Sequence, residues 1–194
     1  MYFVIPQTME TKVSLQKIVR TRIISIYWLP GEGKTFFASF LAWFYDRIYS
    51  NVDFFRNWKK INQTLKSMLD IEKIEFNEQR GLLVIDEAWS NVNARRAASE
   101  RNLIFGKLWM YCRKKNVNIV IISQLERMSD VYFRELSYYH FEISSFYSWY
   151  EYLMFNVSIK NRHGFLVKNM LYDLIKYSNK YKITYNTLDY SLIE

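Results

Sequence analysis

The sequence predicts an α/β fold, a mainly parallel sheet with helices on both faces. Apolar runs of strand length occupy residues 22–29, 82–85 and 117–123. The run at 82–85 has no alternation, which is typical of a strand buried on both faces of a parallel sheet. Segments with helical spacing separate the runs and indicate βαβ units. Right-handed crossovers then bring the polar residues that follow the strands to one edge of the sheet.

Length and composition favour one domain. The chain has 194 residues, enough for a core of its own. We expect a single domain over 1–194, with a motif-bearing core at about 22–143 and a C-terminal extension at about 144–194. The apolar run at 35–45 is too short for a transmembrane helix, and the N-terminus does not have the pattern of a signal peptide. The single cysteine, Cys112, excludes a disulfide framework and a cysteine metal site.

The chain is basic. It has 27 Lys and Arg against 19 Asp and Glu, a net charge of +8. This balance allows contact with nucleic acid or with an anionic membrane face. The richest basic stretch is residues 95–115, which is either a solvated helix face or, because it follows a candidate catalytic strand, part of a functional surface.

Three further segments are predicted as helices. Residues 35–49 follow the first strand, and residues 57–73 have apolar side chains at helical spacing. The basic stretch is predicted as a long helix over 97–115. These helices are the connections that the parallel strands require.

The remaining strands are predicted from shorter patterns. Residues 51–55 could form a second short strand, and residues 138–145 alternate like a strand nearer an edge of the sheet. Residues 152–159 and 165–170 flank Asn161-Arg162-His163-Gly164, a reasonable hairpin turn. The extension is therefore expected to contain a C-terminal β-hairpin.

A glycine-rich loop lies between the first predicted strand and helix. Its sequence is Gly31-Glu32-Gly33-Lys34-Thr35. Glycines let backbone N–H groups approach a triphosphate, the lysine reaches the β and γ phosphates, and the threonine hydroxyl ligates Mg²⁺. Trp28 stands where the full pattern has its first glycine, so the first turn of the loop must be made differently. The predicted contacts to ATP and Mg²⁺ are Pro30, Gly31, Glu32, Gly33, Lys34, Thr35 and Phe36.

Two adjacent carboxylates close the strand at 82–85. Asp86 is the candidate ligand of the Mg²⁺ shell, and Glu87 is the candidate general base that polarises the attacking water. Neighbouring side chains point to opposite sides of an extended backbone, so one can face the metal while the other faces the γ-phosphate. Gln124 ends the strand at 117–123 and could sense the γ-phosphate or orient the water.

An arginine from a neighbouring subunit can complete such a site. Arginines supplied in this way raise the rate of phosphoryl transfer by about 10³ to 10⁵. Arg95 and Arg96 lie just beyond Glu87 and are the first candidates, and Arg134 is the second. The alternative for each is an ordinary surface arginine.

In this order the motifs resemble the FtsK/HerA superfamily of P-loop ATPases. The segments that carry the resemblance span roughly residues 22–143 and are LPGEGKT, LLVIDEAWSN, CRKKNVN, IVIISQL and MSDVYFRE. Within the superfamily they look most like the small genome-packaging ATPases of viruses with internal membranes, including archaeal viruses. They are also similar to the zonula-occludens-toxin-like assembly ATPases of filamentous phages.

The resemblance implies a P-loop NTPase fold of the additional-strand, catalytic-glutamate (RecA/FtsK-like) type, with strand order 5-1-4-3-2. It implies a ring of identical subunits, a hexamer or pentamer, that pulls double-stranded DNA through its centre in the host cytoplasm or in association with the virion. Capsid or portal-vertex proteins and the viral membrane are further expected partners. By motif match, Lys34 and Thr35 are the phosphate-loop pair, Asp86 and Glu87 the metal and base pair, and Gln124 the sensor.

Three functions are compatible with these residues. The first is a DNA-translocating motor that packages a viral genome. The second is an ATPase that assembles or extrudes a virion at the membrane, with protein as its main partner. The third is a non-motor nucleotide-binding module such as a kinase or a switch, against which Glu87 argues because a base for water is unhelpful when the acceptor is a substrate.

Overall fold

A computed structural model describes residues 23–27, 29, 32–57, 59–66, 70, 81–86, 110, 114, 117–124, 136–147, 153–173 and 183–186. Within these ranges there are eleven strands and one complete helix. Their bounds are β1 Ile23–Tyr27, α1 Lys34–Ala42, β2 Arg47–Ser50, β3 Asp53–Arg56, β4 Lys59–Lys60, β5 Gln63–Thr64, β6 Gly81–Asp86, β7 Val117–Ser123, β8 Tyr139–Tyr147, β9 Leu153–Asn161, β10 Leu166–Asp173 and β11 Ile183–Asn186.

An eight-stranded sheet organises the molecule, in the order β10-β9-β8-β1-β7-β6-β2-β5. The six strands from β8 to β5 are parallel, and β9 and β10 add antiparallel neighbours beyond β8. Numbered along the chain, the five strands β8-β1-β7-β6-β2 have the order 5-1-4-3-2. The α/β class, this order and the C-terminal hairpin are confirmed.

The core lies between α1 and one face of the sheet. Phe37, Ala38 and Leu41 of the helix are buried in the same cluster as alternate residues of the strands, such as Ile26 and Val84. The intervening residues on the opposite face are also buried, among them Ile23, Leu83, Ile85, Ile119 and Ile121. Each large apolar side chain buried in this way stabilises the fold by about 1.5–3 kcal/mol. The central strands are therefore apolar on both faces, as the run at 82–85 predicts.

The C-terminal segment returns to the middle of the chain. Strand β11 pairs antiparallel with β3, and β3 pairs antiparallel with β4, which makes a second sheet of three strands. Phe54 of β3 is fully buried in the core cluster, so this small sheet packs with the main one. The short strand predicted at 51–55 exists as β3, but it belongs to this second sheet.

The predicted helix at 35–49 is wrong beyond Ala42. Three successive i to i−3 hydrogen bonds tighten the end of α1, the last from Tyr45 N–H to the Ala42 carbonyl at 3.1 Å. Arg47–Ser50 then pairs with Gly81–Val84 as the parallel strand β2. Ladder pairing with a buried neighbour therefore takes precedence over continued helical spacing.

The predicted helix at 57–73 is contradicted over the described residues between 57 and 66, whereas Asp70 is helical. Asn57 has a positive φ of 49°, and β4 and β5 follow. The buried side chain of Asn62 bonds the Val52 carbonyl and the Phe54 N–H at 2.9 and 2.8 Å, so the backbone is satisfied without a helix. Leu65 is fully buried although it is not in a helix. Its apolar character therefore reflects burial, and it contributed to a pattern that resembled a helical face.

Two other predictions have different outcomes. Strand β8 is not near an edge, because β1 lies on one side of it and the β9–β10 hairpin on the other. The helix predicted at 97–115 falls almost wholly outside the described residues. Met110 and Lys114 are described, and both are helical. No finding tests the division into a single domain.

Candidate functional site

The start of α1 provides an anion-binding geometry. Gly33 is the N-cap residue and adopts a left-handed conformation, with φ 79° and ψ 24°, which glycine reaches without steric cost. Its carbonyl accepts the first helical bond, from Phe37 N–H at 2.9 Å. No side chain caps this helix end, and its first turn contains no acidic residue. The N–H groups and the positive end of the helix dipole therefore favour a bound anion here.

Lys34 is the first residue of this helix, and it is only 6% exposed. Its Nζ donates a hydrogen bond to the Leu29 carbonyl at 2.7 Å. The ammonium group is thus held across the loop that precedes the helix. A buried lysine is rare, and its position in the first turn of the helix suits contact with a polyanionic ligand.

Thr35 and Asp86 meet although they lie 51 residues apart. Thr35 Oγ1 donates a hydrogen bond to Asp86 Oδ2 at 2.5 Å. Asp86 ends β6, and it is only 8% exposed. A hydroxyl and a carboxylate together suit Mg²⁺, which is usually bound by one or two protein oxygens, phosphates and waters. Across the described ranges no group of three or more His, Cys, Asp or Glu could hold a metal ion alone.

Asn51 fixes the backbone of Asp86, a role that our sequence reasoning missed. Its Nδ2 donates to the Asp86 carbonyl at 2.7 Å, and its Oδ1 accepts from the Asp86 N–H at 2.8 Å. Strand β2 pairs with β6 only as far as Ser50 and Val84. The amide side chain therefore continues the ladder beyond the end of β2 and sets the position of the carboxylate. An asparagine directly after a short strand was the available signal.

Glu32 connects the loop to β8. Its Oε2 accepts hydrogen bonds from the backbone N–H of Ser145 and, at 2.8 Å, from the Ser145 hydroxyl. Ser145 lies beyond the part of β8 that pairs with β1, which ends at Glu142. The Glu32 carboxylate therefore holds the loop against the sheet, and the contact of Glu32 to ATP stays a prediction for its backbone N–H.

Gln124 lies at the same sheet edge. It directly follows β7, where Ser123 pairs with Tyr27 and Ile122 pairs with Asp86. This register places Gln124 between the strand that enters the glycine-rich loop and the strand that ends in the carboxylate. The convergence expected of parallel strands is thus observed for Lys34, Thr35, Asp86 and Gln124.

Other predicted site residues need separate description. The side chain of Phe36 packs against the hydrophobic core, so its backbone N–H is the group placed at the helix start. The remaining candidates lie outside the described residues; they are Pro30, Gly31, Glu87, Arg95, Arg96 and Arg134.

A second polar cluster connects the outer strands. The Tyr27 hydroxyl donates to Glu142 Oε1 at 3.1 Å, and Lys160 forms an ion pair with the same oxygen. His140 is buried nearby, with its ring centroid 6.0 Å from that of Tyr27. These residues join β1, β8 and β9, which indicates a structural role for His140.

No protein-family model matches the chain, and no curated protein matches it. Solved structures of two proteins are similar to this chain. The N-terminal domain of zonular occludens toxin from Neisseria meningitidis has 18% identity and a TM-score of 0.42, and the match covers 90% of this chain and 99% of that one.

The genome packaging NTPase B204 from Sulfolobus turreted icosahedral virus 2 is also similar. In complex with ATP-gammaS it has 11% identity and a TM-score of 0.47, covering 78% of this chain and 97% of that one. In complex with sulfate it has 10% identity and a TM-score of 0.43, covering 78% and 96%. These identities are low, so the site is interpreted from its own geometry. No helix among the described residues has the length and apolarity to cross a membrane.

Proposed function

We propose that this protein is an ATP-hydrolysing motor that translocates double-stranded DNA and packages a viral genome into a capsid. The observation that carries the proposal is the hydrogen bond between Thr35 and Asp86. It joins the first turn of a glycine-capped helix to the carboxyl end of a central parallel strand. A phosphate-binding element and a metal-binding carboxylate are thereby adjacent, which is the arrangement that phosphoryl transfer from a nucleotide requires.

The first part of the site binds the triphosphate. Backbone N–H groups at the start of α1 and the Lys34 ammonium would contact the phosphate oxygens. Lys34 Nζ would exchange the Leu29 carbonyl for a phosphate oxygen. The Thr35 hydroxyl and the Asp86 carboxylate would hold Mg²⁺, which supplies positive charge to the β and γ phosphate oxygens.

The second part of the site activates water. Glu87 is proposed as the general base, and Gln124 as the residue that orients the water or senses the γ-phosphate. Arg95 or Arg96 of a neighbouring subunit is proposed to stabilise the charge that develops in the transition state. A site completed in this way requires a ring of subunits, proposed as a hexamer or pentamer.

The DNA partner is proposed from charge and from the motif resemblance. A net charge of +8 favours a polyanion at low salt, where phosphate contacts are strongest. Capsid or portal-vertex proteins are the proposed docking partners, and the host cytoplasm or virion is the proposed location.

The experiment is ATP turnover with and without duplex DNA at low salt, beside the oligomeric mass in the same buffer. We expect duplex DNA to stimulate turnover and Lys34→Ala to abolish it. Lys66→Ala is the matched control, because Lys66 is an exposed lysine beside β5, and it should behave as the native chain does. If duplex DNA neither binds nor stimulates turnover, the motor proposal fails.

One observation favours a second candidate, an assembly or extrusion ATPase that acts on protein at a membrane. Consecutive large apolar side chains are exposed at the end of the C-terminal hairpin. Turnover stimulated by virion proteins, and not by duplex DNA, would select this candidate.

A further inference from the structure

The end of the β9–β10 hairpin exposes apolar side chains. Phe165, Leu166 and Val167 are consecutive and are 70%, 61% and 49% exposed. In a regular strand successive side chains alternate between two faces, but the pairing register shifts between Leu166 and Lys168. We call residues 160–168 the hairpin tip. Adjacent exposed apolar side chains of this size are typical of an interaction surface.

Hydrogen bonds hold this tip in its shape. Asn161 N–H donates to the Phe165 carbonyl, and Gly164 N–H donates to the Asn161 carbonyl, both at 2.9 Å. The Asn161 side-chain oxygen accepts from the N–H groups of His163 and Phe165 at 2.9 and 3.0 Å. Gly164 supplies the positive φ of 80° that the turn needs. The apolar side chains are thus presented by a defined turn.

The tip is also positively charged. Arg162 and Lys168 lie within residues 152–172, a stretch of sequence that contains no Asp or Glu, whereas the charge of Lys160 is paired with Glu142 of β8. Arg162 and His163 are exposed at the turn. Apolar side chains between cations are a combination that binds the surface of an anionic bilayer. The apolar side chains enter the boundary of the acyl chains, and the cations contact lipid phosphates.

The position of the tip separates it from the candidate site. Asn161, at the end of β9, pairs with Tyr139, at the start of β8. The tip therefore lies at the amino ends of the parallel strands, whereas Lys34, Thr35 and Asp86 lie at their carboxyl ends. Tyr138 is exposed at the same end as the tip, and tyrosine is enriched at membrane interfaces because its ring is amphipathic.

We infer that the hairpin tip is a docking surface for an anionic phospholipid bilayer, into which Phe165, Leu166 and Val167 insert. Duplex DNA fits less well, because its phosphate groups bind cations and hydrogen-bond donors but gain nothing from three adjacent apolar side chains. A second copy of the tip is disfavoured because the two would carry like charge. The inference does not depend on ATP hydrolysis.

The test uses the full chain and vesicles of phosphatidylcholine, with or without phosphatidylserine, in a flotation assay. We expect binding to the anionic vesicles only. The triple change Phe165→Ser, Leu166→Ser and Val167→Ser should weaken it at least about tenfold, since each side chain loses its apolar burial in lipid. Met110→Ser is the control, because Met110 is an exposed apolar residue outside the tip.

A second pair of variants tests the charge. Arg162→Glu with Lys168→Glu should also weaken binding at least about tenfold by removing attraction to anionic lipid, whereas Lys66→Glu should not. All changed positions are at least partly exposed to solvent, so we expect the variants to fold. An unchanged unfolding temperature would verify this. Equal binding to neutral and anionic vesicles, or native binding by the triple variant, overturns the inference. If the triple variant or the double-charge variant loses subunit association or duplex DNA binding but still binds anionic vesicles, the inference is overturned as well.

Discussion

The two ends of the parallel strands depart from ordinary burial in opposite ways. At the carboxyl ends, polar groups are buried or half-buried and bonded: Lys34 to Leu29, Thr35 to Asp86, and Asp86 to Asn51. At the amino ends, Phe165 and its neighbours are apolar and exposed. A buried charge and an exposed apolar group are both costly and informative. The comparison indicates one end adapted to a charged small ligand and another to an extended surface.

The largest effect should come from the contact between the loop and the carboxylate. Thr35→Val keeps the side-chain shape but removes the hydroxyl that bonds Asp86 and would ligate Mg²⁺. We expect ATP turnover to fall at least about 100-fold, since metal charge stabilisation is worth several kcal/mol. Steady-state turnover measures the effect. Thr64→Val at the sheet edge is the control, and comparable losses in both variants would contradict the assignment.

Two asparagines compare a buried polar contact with an exposed one. Asn51→Ala leaves the buried N–H and carbonyl of Asp86 without the side chain that satisfies them. We expect the free energy of unfolding to fall by about 2–6 kcal/mol, at roughly 1–3 kcal/mol for each of the two groups. Asn169→Ala on β10 removes an exposed contact to Ser158 and should cost no more than about 0.5 kcal/mol. Chemical denaturation of both variants measures the difference. Equal losses of stability would contradict the role of Asn51 in holding the backbone of Asp86.

The bond between Glu32 and Ser145 tests whether β8 holds the loop in place. Glu32→Ala should raise the KM for ATP about tenfold, because hydrogen bonds to a charged group are worth about 1.5–3 kcal/mol. Ser145→Ala removes only the hydroxyl and should have a smaller effect, and Glu32→Gln retains an acceptor and should have the smallest. Steady-state kinetics should show the change mainly in KM. A loss confined to kcat would point to a chemical role for Glu32.

The smallest effect concerns the second sheet. Burial opposes ionisation of Asp53, but hydrogen bonds from Lys60 and Thr64 and the Lys60 charge hold its pKa below the ordinary value. A lowered folded-state pKa stabilises the fold above the unfolded pKa, and this stability is lost as pH falls through the folded one. Asp53→Asn should therefore cost less than about 1 kcal/mol at pH 7. Its difference from the native chain should close in acid denaturation below about pH 4.

The central strands could be predicted because they are buried on both faces. Strands β1, β6 and β7 are continuous apolar runs, and the observed β7 has the predicted bounds, residues 117–123. The turn at 161–164 was also predictable, because Gly164 supplies a positive φ. The carboxyl ends of β1, β6 and β7 lie at one edge because these strands are parallel, so the placement of Lys34, Asp86 and Gln124 at that edge could be expected.

Long-range side-chain bonds were not predictable. Asn51 bonds Asp86 and Glu32 bonds Ser145 across 35 and 113 positions of the chain, and local patterns do not report such pairs. The region at 57–66 was misassigned because the buried Asn62 satisfies backbone groups there and replaces helical bonds. The second sheet could not be expected either, since β3 and β11 are far apart in sequence.

The most direct test of the central claim is Glu87→Gln, with ATP binding and ATP hydrolysis measured on the same preparation. If the Thr35–Asp86 edge is a hydrolytic site and Glu87 is its base, ATP should bind as in the native chain. Turnover should then fall about 10²- to 10⁴-fold, the usual contribution of a general base. Native binding with unchanged turnover would contradict the assignment of Glu87 as the base.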